Sequence, residues 1–373
     1  MRIAFLSVFY PYRGGIAQFN AHLLDAMGRD HEVRAFNFTR QYPDFLFPGK
    51  TQYVTPEDKA MPVESSRILD SANPLTWRRT AREILGWKPD VAVFSYWMSY
   101  FAVSFTPIAE TLRRNGVKVV TVVHNAIPHE PKFFDKPLAR RFFEKCDLLV
   151  SMCDAVTADI RSLCPDARIV QHPHPVYDHF GDRVDKDAAQ AKLGLDPEKR
   201  TLLFFGLIRD YKGLDLLIDA MPLLGPGYQL VIAGESYGSF DKYTQQIAAS
   251  GCADRIKVFN RYIDDDEVPA FFSASDVCVL PYRSATQSGI TAIAVNFELP
   301  LVATPVGGLA ESIERPGIGI MTGGISAEDV AAAVRKFYET GPESFAAPIH
   351  ALKQQLTWPV FASKIFDACS LLN

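Results

Sequence analysis

Short apolar runs rich in β-branched residues alternate with helix-length amphipathic segments along nearly the whole chain, the pattern of parallel sheets covered by helices. The alternation occurs twice. In the first half it predicts strands near Ile3–Phe9, Glu32–Phe38, Val91–Ser95, Lys118–Val123, Leu148–Ser151 and Arg168–Gln171, with helices that include Ala17–Met27, Ser104–Arg114 and Ala155–Leu163. In the second half it predicts strands near Thr201–Phe205, Gln229–Ala233, Arg255–Phe259, Val277–Leu280, Leu301–Thr304 and Gly319–Met321, and helices near Leu214–Leu224, Asp266–Ser273, Ile290–Asn296 and Ala327–Tyr338. Each half reads as a doubly wound α/β sheet. Ligands of such sheets sit beyond the carboxyl ends of the strands, so the loops that follow each strand are where chemistry is to be sought.

Three stretches fall outside the alternation. Tyr42 to Pro74 is polar and punctuated by proline, and reads as an excursion over a cleft. His172-Pro173-His174-Pro175 and the charged stretch Asp182 to Arg200 have the composition of a surface linker, which places the domain boundary there, as 1–178 and 179–357. The segment from Trp358 to Leu372 is amphipathic, and its pattern does not say what it packs on.

A length of 373 residues suits about two domains at roughly 150 residues each, and 48% hydrophobic with 22% charged residues fits a water-soluble globular protein. Disorder, collagen and disulfide-stapled mini-proteins are excluded. The formal net charge of −4 offers no overall positive field to gather nucleic acid. That balance is uneven, because residues 1–178 hold 22 basic and 19 acidic side chains, so the excess of acid lies in the second half. Six scattered cysteines, with no C-x-x-C pair, read as reduced and mostly buried. Met1 to Tyr10 reads as a first strand rather than a secretory signal, and no uncharged apolar run approaches the 18 or more residues of a membrane span, so the expected location is the cytoplasm.

Candidate chemistry lies in four loops. Pro11-Tyr12-Arg13-Gly14-Gly15-Ile16 follows the first strand and precedes a helix, where paired glycines let backbone N–H groups approach a polar or anionic ligand; a tight turn would need the same glycines. G-x-G-x-x-G is absent, which weakens a dinucleotide-dehydrogenase reading. His124 and Asn125 end the Lys118–Val123 strand, where an imidazole can serve a substrate hydroxyl, with His129 a second candidate. His172 and His174 lack a third ligand and do not suggest a metal. Gly206-Leu207-Ile208-Arg209-Asp210-Tyr211-Lys212-Gly213 places two cations at a strand end, suited to a diphosphate, although a solvated charge pair gives the same pattern. Pro281-Tyr282-Arg283-Ser284-Ala285-Thr286-Gln287-Ser288-Gly289-Ile290 leads into a helix whose first N–H groups can cradle phosphate oxygens, or whose Ser288 is an ordinary N-cap.

In this order, and together with Val306-Gly307-Gly308, these loops resemble the retaining glycosyltransferases of family 4 over nearly the whole length. The resemblance implies the GT-B fold, two facing Rossmann-like domains with an inter-domain cleft, and a last helix, residues 358–373, crossing back to the N-terminal domain. It implies transfer of a sugar from a nucleoside diphosphate to an acceptor hydroxyl on a glycan or lipid-linked glycan. No metal and no cofactor are expected. His124, Arg209 and Lys212 match the family's catalytic positions; Gly15, Gly206, Gln287, Ser288, Gly289 and Ile290, with Arg261 and Tyr262 at the base, match its donor site; Tyr12, Gly14 and Asn125 fall on the acceptor side.

One departure stands out. The family's Glu-x7-Glu is missing, since ungapped alignment puts Ala285 and Ile293, or Thr286 and Ala294, at those positions. A catalytically silent sugar-nucleotide-binding protein, or a nucleotide-sugar epimerase on the same architecture, is therefore the competing reading. Lys132-Phe133-Phe134-Asp135-Lys136 and Arg140-Arg141-Phe142-Phe143-Glu144-Lys145 suggest peripheral contact with the inner face of a membrane, or else an amphipathic core helix with a solvated face.

Overall fold

Strand faces alternate strictly in the first sheet. Ile3 and Phe5 enter one core while Ala4 and Leu6 enter the other, as the two-residue period of a sheet covered on both sides requires. The computed structural model describes all residues except 44–51, 55–59, 129–131, 177–179, 237, 286–287 and 372–373. Its chain divides into two units, Met1–Pro173 with Trp358–Asn373, and His174–Thr357, so the break comes ahead of the boundary expected after residue 178.

Among the described residues, the first unit holds β1 (Arg2–Leu6), β2 (Glu32–Arg40), β3 (Ser65–Asp70), β4 (Val91–Tyr96), β5 (Lys118–Val123), β6 (Leu148–Ser151) and β7 (Ile169–Gln171), all parallel, in the order β3-β2-β1-β4-β5-β6-β7. The helices α1 (Gly15–Gly28), α2 (Pro74–Gly86), α3 (Ala102–Arg114), α4 (Asp135–Phe143) and α5 (Asp154–Leu163) connect them. Helices α2 to α5 pack on one face of the sheet and α1 on the other. Strand order reverses between β1 and β4, so the loops after those strands flank a switch point, the usual ligand crevice of an open α/β sheet.

The stretch read as an excursion over a cleft is in part regular structure, which corrects that expectation. Ser65–Asp70 is the edge strand β3, and only Leu69 in it is fully buried, so its apolar signal is faint. Helix α2 follows at once. Asn73 caps it by accepting from the Leu75 N–H at 3.1 Å, and Pro74 occupies its first turn.

The second unit contains β8 (Arg200–Phe205), β9 (Tyr228–Ala233), β10 (Ile256–Phe259), β11 (Val277–Leu280), β12 (Leu301–Ala303) and β13 (Gly319–Met321), again all parallel, in the order β10-β9-β8-β11-β12-β13. Its helices are α6 (Lys186–Leu193), α7 (Leu214–Leu224), α8 (Asp241–Ala249), α9 (Val268–Ser273), α10 (Gly289–Asn296), α11 (Leu309–Ile313), α12 (Ala327–Thr340) and α13 (Ala346–Gln355). Here the switch point lies between β8 and β11. The last helix, α14 (Trp358–Ser370), belongs to the first unit. There Trp358 meets Phe19 of α1 edge-on at 5.0 Å and stacks on His22 at 5.2 Å.

Candidate anion site at the switch point of the second unit

Two loops leave the switch point side by side, because β8 and β11 are hydrogen-bonded neighbours. The loop after β8 turns at Gly206, whose φ is +97°, then makes a single helical turn at Asp210–Lys212 and enters α7 through Gly213. Gly213 has φ +64°, and a Cβ there would lie 1.9 Å from the Pro281 carbonyl oxygen, so only glycine allows this loop to lie on the start of the loop after β11. Side chains strap the two together. The Arg283 guanidinium donates to both Asp215 oxygens at 2.8 and 2.5 Å and to the Asp210 carbonyl at 3.1 Å, and its backbone N–H donates to the Tyr211 carbonyl at 2.7 Å. Lys242 holds the Asp210 carboxylate. Arg283 holds the Asp215 carboxyl below its ordinary range despite partial burial.

Lys212 lies in the angle between the loops. It is only 8% exposed, and its side chain has no hydrogen bond or ion pair to another described residue. Its ammonium rests 5.7 Å from the centre of the Tyr282 ring, a contact of the cation–π kind. Burial pulls its pKa down from 10.5 to about 8, against the buried Cys278 thiol and with help from the nearby Arg209 charge. A Cβ on Gly206 would meet the Ile290 Cδ1 at 3.0 Å and Lys212 Nζ at 3.4 Å, so the first glycine, the buried cation and the start of α10 converge on one point.

Helix α10 begins uncapped. Ser288 occupies the N-cap position but makes no side-chain cap, because its hydroxyl pairs with the Tyr282 hydroxyl at 3.2 Å. The positive end of α10 therefore faces this point without a local oxygen to satisfy it. The Thr291 hydroxyl in the same turn is buried without a hydrogen-bond partner among the described residues. A buried cation beside an uncapped helix start has the chemistry of a site for a phosphate or diphosphate.

Of the residues expected from the sequence, Gly206, Lys212, Ser288, Gly289 and Ile290 come together here, and Arg209 is exposed at the start of the same turn. Gln287 and His129 lie outside the described residues. Arg261 and Tyr262 follow β10 at the sheet edge, away from this point in strand order; Arg261 grips Glu267 with two bonds of 2.6 Å and Tyr262 is exposed. Tyr282, Arg283 and Asp215 were given no role by the sequence. Tyr282 and Arg283 lie within the candidate loop after β11, and Asp215 lies two residues beyond Gly213.

The first unit has its own switch-point loop. Asn37, fully buried, donates to the carbonyls of Phe9 at 3.2 Å and Tyr10 at 2.9 Å, which fixes the backbone ahead of Gly14 and Gly15. Gly14, with φ +115°, opens α1, and both glycines face open space. Tyr12, expected on the acceptor side, is 1% exposed; its ring stacks on Tyr53 and its hydroxyl donates to the Phe38 carbonyl at 3.3 Å. His124 is half-buried with its ring edge-on to Phe19 at 4.7 Å, and Asn125 is exposed beside it. His172 and His174 direct Nδ1 to the carbonyls of Pro173 and Pro175 at 2.8 and 2.7 Å.

Comparison with known proteins gives the same division. Residues 14–175 match the glycosyl transferase 4-like domain, and residues 185–351 match glycosyl transferases group 1. The chain is 32% identical to the lipopolysaccharide core biosynthesis mannosyltransferase LpsB of Rhizobium meliloti (strain 1021), over 46% of this chain and 51% of that one. It is 26% identical to the GDP-mannose:glycolipid 4-beta-D-mannosyltransferase of Xanthomonas campestris pv. campestris, over 52% of this chain and 51% of that one. The matched region thus spans about half the length of these relatives. Among solved structures, Anabaena Alr3699/HepE in complex with UDP superposes with a TM-score of 0.73 at 16% identity, covering 99% of this chain and 100% of that one; it is also known in complex with UDP-glucose. The fold is GT-B, two Rossmann-like domains.

Proposed function

We propose that this chain, built from the 4-like and group 1 glycosyltransferase domains, transfers a sugar from a nucleoside diphosphate to a hydroxyl of a glycan or lipid-linked glycan, with retention of anomeric configuration. The observation that carries the reading is the Lys212 ammonium, buried and without a counter-ion among the described residues beside the uncapped start of α10. A lone buried cation is costly to hold, and a diphosphate offsets that cost. As the sugar C–O bond breaks, negative charge grows on the departing diphosphate, where Lys212, Arg209 and the N–H groups of Gly289 and Ile290 stabilise it. UDP and UDP-glucose in the Alr3699/HepE complexes, and the glycolipid and lipopolysaccharide relatives, support the donor and acceptor classes.

Asp210 and Asp215, the carboxylates in these loops, are already held by Lys242 and Arg283, which leaves neither available as a nucleophile. Retention then follows from departure and attack on one face of the sugar, with the leaving phosphate taking the acceptor proton. His124 and Asn125 serve sugar and acceptor hydroxyls, while buried Tyr12 only shapes its loop. The test is transfer and hydrolysis across a panel of UDP-, GDP-, ADP- and CDP-sugars, with product anomers read by NMR. Turnover that Arg209→Ala and Lys212→Met both abolish is the expected result. Wild-type rates in both variants would overturn the proposal, binding without turnover would favour a silent binding protein, and an altered sugar nucleotide an epimerase.

A further inference from the structure

Helix α10, whose start faces the buried ammonium of Lys212, has 8 residues and no charged side chain among them. At 1.5 Å per residue it is about 12 Å long, so whatever holds its far end also sets where its first N–H groups stand. That far end closes in the Schellman pattern. The Glu298 N–H donates to the Val295 carbonyl at 3.1 Å and the Leu299 N–H to the Ala294 carbonyl at 2.8 Å, which puts Glu298 in left-handed backbone with φ +51°. Glycine suits such a position and glutamate strains it. Among the described residues, Lys88 in the first unit, with φ +53°, is the other non-glycine residue in this state.

The Glu298 side chain has partners that glycine would lack. Its Oε1 lies 3.3 Å from His350 Nδ1 and 3.8 Å from Lys353 Nζ, both on α13, and the Lys353 ammonium donates to the Asn296 carbonyl at 2.6 Å. Lys353 thus caps the last residue of α10, where a helix leaves carbonyls without internal partners and its dipole favours a cation. The base of this clamp is itself anchored. Ile349 of α13 is fully buried in the core of the second unit, and Leu356, just past the end of α13, accepts from the Val176 N–H at 2.8 Å.

We propose that Glu298 is a positioning residue of the anion site: by holding Lys353 on the Asn296 carbonyl it fixes α10 against α13, and so fixes the Gly289 and Ile290 N–H groups that receive the diphosphate. The proposal rests on the nucleotide reading given above. Backbone strain persists where the surrounding contacts hold it in place. Here those contacts belong to the helix whose start forms the site.

The experiment is calorimetric titration of the full chain with UDP, paired with thermal unfolding. Glu298→Gly removes clamp and strain together, so Kd for UDP should rise about tenfold while Tm stays within about 3 °C of wild type. Lys353→Met, which loses the cap, should weaken UDP binding to a similar extent, and Glu298→Gln, which keeps an acceptor oxygen, should recover part of the loss. Lys88→Gly relieves the same strain in the first unit and should leave UDP affinity unchanged. Without UDP, the amides of α10 should exchange faster with deuterium in Glu298→Gly than in wild type. Unchanged UDP affinity in both Glu298→Gly and Lys353→Met, unaltered exchange in α10, or a loss of affinity that follows a fall in Tm across the variants would overturn the proposal. A wild-type chain that does not bind UDP would overturn the nucleotide reading and this role with it, a failure distinct from wild-type binding that the variants leave intact.

Discussion

Replacing Lys212 with methionine should make the protein more stable and functionless at once. The side chain is buried, and its pKa lies at about 8 instead of 10.5. At 1.36 kcal/mol per unit, the folded state holds this charge at a cost of about 3 kcal/mol. The sign follows from proton counts. Between about 8 and 10.5 the unfolded chain binds the extra proton and the folded one does not, so wild-type stability gains this increment as pH rises through that window, and below it the full cost applies. Methionine fills similar volume without the charge. The variant should therefore gain up to about 3 kcal/mol at pH 7, a rise in Tm of roughly 5–10 °C, and lose the alkaline increment.

A diphosphate needs the ammonium form, so wild-type affinity for UDP should be flat below pH 8 and fall toward tenfold per unit above it. Calorimetry in two buffers of different ionisation enthalpy should show proton uptake on binding near pH 8. Turnover in Lys212→Met should drop ~10²–10³-fold, the scale for one preorganised donor. A methionine variant that is less stable than wild type, or that binds UDP unchanged, would refute the reasoning.

Further outcomes follow from the structure. Gly213→Ala sets a Cβ 1.9 Å from the Pro281 oxygen at φ +64°, and urea unfolding should show a loss of about 2–5 kcal/mol. Arg283→Ala frees the strap between the two loops; since the pair is partly exposed, stability should fall by less than about 1 kcal/mol, whereas donor KM should rise about tenfold and Arg283→Lys should recover only part of it. The lowered Asp215 pKa adds stability that is present above its ordinary value of 3.8 and lost as pH falls through the folded value, an acid-side loss that Arg283→Ala should diminish. Trp358→Ala, at a residue 3% exposed against Phe19 and His22, should cost about 3–5 kcal/mol by thermal or denaturant unfolding. Activity, once measured, should persist after exhaustive treatment with EDTA, since the proposed leaving-group stabilisation rests on Lys212, Arg209 and backbone N–H groups.

What the sequence disclosed tracks how completely each segment is buried. β5, β6, β11 and α7 were legible to the residue, because a strand buried on both faces, or a helix with a broad apolar stripe, leaves few alternatives. β3 was hidden because an edge strand with one fully buried residue has little periodicity to read, and its partner β2 supplies the ladder from far along the chain. α2 could have been found locally, from the Asn73-Pro74 start signal.

The same division runs through the site. Arg209 and Lys212 look alike in the sequence, two cations three residues apart, and even the glycine that ends their turn does not tell them apart. Only the fold makes them different: the turn points Lys212 back under Tyr282 toward Gly206 and Ile290, while Arg209 stays at the exposed start. Burial then gives one cation its lowered pKa and its need for an anion, while the other stays exposed within electrostatic reach. That inequality is a property of packing between β8 and β11, set by Gly213 against Pro281 and by Arg283 across the loops, and no linear spacing carries it. It also orders the mutations: Lys212 should dominate binding, Arg209 should act with a strong dependence on salt, and Arg283 should act only through the position of the other two.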